Sequence, residues 1–195
     1  MSYPKNKICA VVLAGGMGRR LGGFDKGLLK KNGRPFVAHI IDQLAPQTGE
    51  LLINANRNQS VYAKWGRVIA DELSGYQGPL AGMSTAMQHC SGDWIVSAPC
   101  DSIVIAPDYV ERLYQAAADK ASPIAVAFDG ERLQPVHALI HRSLLESLGD
   151  YLQSGERKID RWYALHDFAK VDFSDWPTTF RNVNTPQDKL ELDVE

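Results

Sequence analysis

"VVLAGGMGRRLGGFDKGLL", Val11 to Leu29, is a run of strand-forming residues that breaks into a glycine-rich loop carrying Arg19, Arg20 and Lys26. The run begins in "KICAVVLA" (Lys7 to Ala14), whose apolar residues follow one another without polar alternation. That pattern predicts a strand buried on both faces, as in a parallel sheet. A glycine loop directly after the first strand of an α/β sheet falls at its carboxyl edge, where open sheets bind ligands. Glycines let backbone N–H groups approach an anion closely, and the neighbouring cations neutralise what those groups surround. Phosphate is the expected occupant; a flexible connection with surface arginines is the plainer alternative.

Outward from this stretch, "LLINAN" (Leu51 to Asn56), "RVIAD" (Arg67 to Asp71) and "DWIVSAPCD" (Asp93 to Asp101) read as further strands. Helices are expected at Pro35 to Leu44, near Gln59 to Trp65, at Leu80 to His89 and from Pro107 through Ala118. "NTPQDKLEL" repeats the helix-opening device, with Thr185 as N-cap and Pro186 in the first turn. Asn32-Gly33 predicts a tight turn that detours the chain before the Pro35 helix. "PIAVAFDGERLQPVHALI" alternates about Asp129-Gly130 and predicts a hairpin, so the sheet is mixed. The fold class is α/β with a mostly parallel sheet. No repeat, low-complexity tract or Pro/Gly/Ser linker interrupts the chain, and one domain over residues 1–195 is expected.

Bulk properties exclude several function classes. With 195 residues and 45% hydrophobic content, one core forms without disulfides. A formal net charge of -2 leaves no global basic field for nucleic acid. No apolar run approaches the roughly 18 residues of a membrane span, and "MSYPKNKI" lacks a secretory apolar stretch, so a cytoplasmic protein is expected. Cys9, Cys90 and Cys100 form no C-x-x-C pair and read as free thiols. His137 and His141 are spaced by four with no acidic partner that would complete a zinc motif. Trp65, Trp94, Trp162 and Trp176 are too dispersed for a stacking platform.

Two common phosphate motifs can be tested against the loop. A Walker A motif needs Gly-Lys followed by Ser or Thr, which the chain lacks. A dinucleotide fingerprint begins at Gly16-Met17-Gly18, but Leu21 stands where its last glycine belongs, and the loop does not run directly into a helix. A long, lid-like loop would wrap a triphosphate better than it would seat a pyrophosphate.

The pattern LAGGxxRRxGGxDK, from Leu13 to Lys26, resembles the signature of nucleotidyltransferases that activate small phosphorylated compounds. The match narrows with "NGRP" (Asn32 to Pro35), "VIADELSGYQGPLAGM" (Val68 to Met83), "PCD" (Pro99 to Asp101), "SGERK" (Ser154 to Lys158) and "FRNVNTPQDKL" (Phe180 to Leu190). In this order the set resembles the MobA family of molybdenum cofactor guanylyltransferases.

The resemblance implies a Rossmann-like three-layer nucleotidyltransferase domain. It implies transfer of GMP from GTP to molybdopterin, usually already carrying molybdenum, with release of pyrophosphate. By the same resemblance, Leu13, Ala14, Gly15, Lys26, Asn54, Asp71 and Asp101 match GTP-contacting positions, with Gly16 in the same loop. Asp101 is also the implied Mg²⁺ ligand. Arg19, Gly78, Pro79, Leu80, Gly82, Asn182 and Asn184 match further site positions, the two asparagines on the pterin side. After Asp101 many relatives continue with Thr-Pro, where this chain has "SIVI". The implied partners are the two small-molecule substrates, with transient contacts to other cofactor-biosynthesis proteins and molybdoenzymes, and a monomer is expected. A related enzyme using CTP or a sugar phosphate is the first alternative. An NADP-dependent reductase seating a 2′-phosphate at Asn56-Arg57 is the second.

The implied chemistry brings two polyanions together, and each facing pair of unit charges at about 4 Å opposes it by roughly 4 kcal/mol at an effective dielectric of about 20. Arg19, Lys26 and the Asp101-bound cation are therefore the expected catalytic set. A phosphate monoester is already largely deprotonated at neutral pH, its second pKa being about 6, so no general base is needed. Asp71, at the end of a strand, could accept from the adjacent N–H donors of guanine, contact a ribose, or cap a turn.

Overall fold

A computed structural model describes residues 3–16, 23–73, 75 and 77–181. Strand β1 (Ile8–Leu13) is buried at every position. Its alternate residues serve opposite faces. Ala10 and Val12 join one hydrophobic cluster, whereas Cys9, Val11 and Leu13 join the other. This continuous Val/Ile/Leu run thus becomes the centre of a sheet covered on both sides.

The chain then forms a 3-10 turn at Lys26–Leu28 and a small hairpin of β2 (Lys30–Lys31) and β3 (Arg34–Pro35). Asn32 and Gly33 link these strands with φ of 50° and 75°, the left-handed pair that the Asn-Gly dipeptide predicts. Helix α1 (Phe36–Leu44) follows, and then β4 (Glu50–Asn54), the short α2 (Gln59–Tyr62), β5 (Arg67–Ile69), α3 (Pro79–His89) and β6 (Trp94–Pro99). The rest comprises α4 (Tyr109–Asp119), β7 (Ile124–Phe128), β8 (Leu133–His141), α5 (Leu145–Gln153), α6 (Ile159–Tyr163) and β9 (Phe168–Asp172).

Seven strands form one sheet in the order β5-β4-β1-β6-β8-β7-β9. All neighbours are parallel except those involving β8, which runs antiparallel to both β6 and β7. Helices α1 and α4 cover one face, where Val37, Ile40 and Leu44 meet Val110 and Leu113. Helices α3, α5 and α6 cover the other, with Met83, Leu148 and Trp162 in its core. The fold is therefore a three-layer α/β arrangement with a mostly parallel, mixed sheet.

Several boundaries differ from the sequence expectation. Pro107 precedes its helix by two residues, and Asp108 occupies the N-cap position of α4, which buries Tyr109, Val110, Leu113 and Ala117 on one stripe. The helix near Gln59 stops at Tyr62. Neither α5 nor β9 is anticipated by the sequence patterns. Helix α6 turns Ile159, Trp162 and Tyr163 inward as part of the core. The "NTPQDKLEL" segment lies outside the described residues.

Candidate active site

The chain leaves β1 toward β4 and β5 on one flank, while β6 takes β1's other side. This reversal of strand order opens a crevice at the carboxyl ends of β1 and β6, the position where open sheets take ligands. Backbone bonds set the height of both lips. Ala14 N–H donates to Asn54 O at 2.8 Å, and Cys100 N–H donates to Leu13 O at 3.0 Å. Leu13 to Gly16, Asn54 and Asp101 consequently share one sheet edge.

A carboxylate and two amides occupy the β4–β5 side. Asn54 Nδ2 donates to Asp71 Oδ1 at 2.8 Å, and Asn56 Nδ2 donates to Asp71 Oδ2 at 2.7 Å. Asp71 N–H closes the ring by donating to Asn56 Oδ1 at 2.8 Å. Both oxygens of Asp71 are thus fixed in orientation while each retains acceptor capacity. Gly82, in the second turn of α3, lies against Asn54. A Cβ there would stand 2.4 Å from Asn54 Oδ1 and 2.7 Å from Leu13 Cδ2. The same amide oxygen would be 3.1 Å from a Cβ on Gly15. Gly78 caps α3 with φ 85°, Pro79 opens it, and Leu80 is fully buried. The first-turn amides of that helix carry its positive dipole end.

On the β6 side, Lys26 Nζ lies 2.9 Å from Asp101 Oδ2 although 75 residues separate them. Asp101 is 7% exposed. Its Oδ1 makes no hydrogen bond among the described residues. The following "SIVI" loop is held from below. Ser102 Oγ meets His137 Nε2 at 3.1 Å, and His137 Nδ1 faces Tyr109 Oη at 3.4 Å. Gln43 spans the loop by donating to Ile103 O and accepting from Ile105 N–H. Burial pushes the His137 pKa down to about 3, which keeps the imidazole neutral at physiological pH. The departure from Thr-Pro thus leaves the segment anchored.

Leu13, Ala14, Gly15, Gly16, Lys26, Asn54, Asp71, Gly78, Pro79, Leu80, Gly82 and Asp101 are all described, most of them along this edge, whereas Arg19, Asn182 and Asn184 lie outside the described residues. Arg157 Nε donates to Gln77 Oε1 at 2.7 Å, linking the "SGERK" segment to the loop before α3. Sequence reasoning missed the Asp71-orienting role of Asn56 and the support from Gln43 and His137. No periodicity marks such side-chain contacts. Asn56 and Arg57 face Asp71 and the Gly23–Asp25 backbone, respectively, so the pair does not form a 2′-phosphate seat. Cys100 is buried and desolvation pushes its thiol pKa up, opposite to what a nucleophile needs. Among the described residues no group of three or more His, Cys, Asp or Glu could hold a metal ion by itself, and no helix is long and apolar enough to cross a membrane.

Comparison with known proteins adds independent findings. Residues 10–169 match the model of the MobA-like NTP transferase domain. The chain is 51% identical over 190 residues to a molybdenum cofactor guanylyltransferase of Shewanella sp. (strain MR-4), covering 97% of this chain and 96% of that one. A second relative of the same name, from Shewanella piezotolerans, is 50% identical over 95% of this chain and 91% of its own. Among solved structures, molybdopterin-guanine dinucleotide biosynthesis protein A from Archaeoglobus fulgidus superposes with a TM-score of 0.81 at 21% identity, covering 95% of this chain and 97% of that chain.

Proposed function

We propose, since the chain belongs to the MobA-like NTP transferase family, that it transfers GMP from GTP to molybdopterin, forming the guanine dinucleotide and pyrophosphate. The Lys26–Asp101 pair at the β1/β6 crevice is the observation that carries the reading, because it sets a cation and a buried carboxylate at the mouth of a glycine-rich loop. We read residues 1–195 as one nucleotidyltransferase domain acting as a cytoplasmic monomer, in transient contact with other cofactor-biosynthesis proteins and molybdoenzymes.

Asp71 and Asp101 follow β5 and β6, which stand three inter-strand spacings, roughly 14 Å, apart. They serve opposite ends of one nucleotide laid across the edge. Asp71, oriented by Asn54 and Asn56, accepts from the guanine pairing edge, with Gly78, Pro79, Leu80 and Gly82 lining the base. Gly15 and Gly16, just beyond the last sheet bonds of Leu13 and Ala14, offer backbone amides to the phosphates, while Lys26 and Arg19 spread positive charge over the triphosphate. Asn182 and Asn184 supply donors and acceptors to the pterin.

Asp101 fits Mg²⁺ through the chemistry of its donors. Magnesium needs only one or two protein carboxylates when substrate phosphates complete its shell, and Oδ2 is shared with a lysine that also seeks phosphate. When bound, the ion would neutralise charge on the α-phosphate and the leaving pyrophosphate. The attacking group is the molybdopterin phosphate, already ionised at neutral pH, so positioning and electrostatics carry the reaction.

The test is turnover of purified molybdopterin with each of the four ribonucleoside triphosphates, scored by pyrophosphate release. GTP alone is expected to support turnover, and Asp101→Asn to reduce kcat by about 10²–10³-fold. Equal use of CTP, or an undiminished Asp101→Asn enzyme, overturns the reading.

A further inference from the structure

The turn that carries Lys26 is only three residues long and cannot hold its own orientation. What holds it comes from the start of α2, more than 30 residues later. Arg57 donates through both terminal nitrogens, Nη1 to Gly23 O at 2.7 Å and Nη2 to Phe24 O at 3.0 Å. The next residue, Asp25, accepts from Tyr62 Oη at 2.5 Å and from Asn58 Nδ2 at 2.9 Å, with Arg57 Nε 3.5 Å from the same carboxylate. The Asp25 side chain is only 6% exposed.

On the far side of Lys26 the backbone rests on the same phenol. A Cβ on Gly27 would lie 2.4 Å from Tyr62 Oη, so only glycine permits the turn to approach this closely. Tyr62 is itself fully buried in the core. Lys26 is therefore bracketed by fixed points on both sides, and its ammonium emerges against Asp101.

Charge gives the arrangement a second purpose. Asp25 directly precedes the cation, and a free carboxylate there would compete for the lysine and repel phosphate. Asn58 and Tyr62 take up its acceptors on the α2 side, and the Arg57 guanidinium lies beside it as an ion pair. We propose that Asp25, Arg57, Asn58 and Tyr62 form a positioning clamp that aims Lys26 at the triphosphate and keeps the Asp25 charge out of the phosphate site. The inference rests on the reading of Lys26 as a triphosphate cation. None of the four is thereby a catalytic residue; each acts through Lys26.

The experiment is a double-mutant cycle on the full chain with GTP and molybdopterin. Tyr62→Phe removes one hydroxyl, and Arg57→Lys keeps the charge but loses the planar fork. Each is expected to lower kcat on the order of 10- to 100-fold with a smaller change in KM for GTP. In a Lys26→Gln background the same changes should cause little further loss. A merely structural role would multiply the two losses, and that result, or full turnover in both single variants, overturns the clamp. Should one variant fail to fold, the other completes the cycle. Wild-type turnover by Lys26→Gln alone would instead remove the reading of Lys26 on which the clamp stands.

Discussion

At Gly82 a single hydrogen in place of a methyl group decides whether Asn54 can hold Asp71. The methyl of Gly82→Ala would fall 2.4 Å from the Asn54 amide oxygen, closer than any real contact, and Leu13 blocks the alternative direction. Asn54 must therefore turn, freeing Asp71 Oδ1. We expect Gly82→Ala to raise KM for GTP and to cost about 1–3 kcal/mol of stability by overpacking, measured by steady-state kinetics and denaturant titration. An unchanged KM would mean that Asp71 does not depend on Asn54. Asp71 was legible in the sequence because it closes the strand pattern "RVIAD", and Asn54 through the family resemblance. The middle of this network was not. Asn56 meets Asp71 across 15 residues, and Tyr62 meets Asp25 across 37, through side chains that leave no trace in a hydrophobic period.

Among the elements, β8 carries a neutral histidine beneath the loop that follows Asp101. Burial holds His137 at about 3 when folded, against 6.5 for an unburied histidine. Between these values the unfolded chain binds the extra proton and the folded chain does not, so stability is lost as pH falls through that window. The slope is about 1.4 kcal/mol per pH unit below 6.5. From pH 7 to 5 wild type should thus lose about 2 kcal/mol more than His137→Gln, as read from denaturant midpoints. Parallel pH profiles for the two proteins would refute the assignment. The hairpin containing β8 was legible from alternation about Asp129-Gly130, and β1, β4, β5 and β6 from their apolar runs. Helix α5 escaped notice because its N-cap position is Leu144, with no side-chain cap, and Gly149 interrupts its interior. Strand β9 alternates buried Ala169 and Val171 with half-buried Phe168 and exposed Lys170 and Asp172 at the sheet's rim, too short a signal to stand out.

For the molecule as a whole, a formal net charge of -2 leaves no global field to draw in a polyanion. Affinity for a polyanion must then come from the crevice itself and show as ligand-linked stability. With Mg²⁺, GTP at about 100 times its Kd should stabilise the protein by about 2.7 kcal/mol. For a chain of 195 residues this raises Tm by roughly 5–10 °C. ATP and CTP at the same concentration should give smaller shifts if Asp71 selects the base; equal shifts would assign discrimination elsewhere.

One reversed strand has an evolutionary corollary. Because β7 runs with its parallel neighbours and β8 returns against them, the bend at Asp129 to Arg132 comes back to the ligand edge, and the first four residues of β8 remain half-exposed there. Descendants of this chain could lengthen or trim that bend without unpairing a single parallel strand. Recruitment of a new acceptor molecule would then require remodelling only a peripheral rim, with the nucleotide cradle inherited intact.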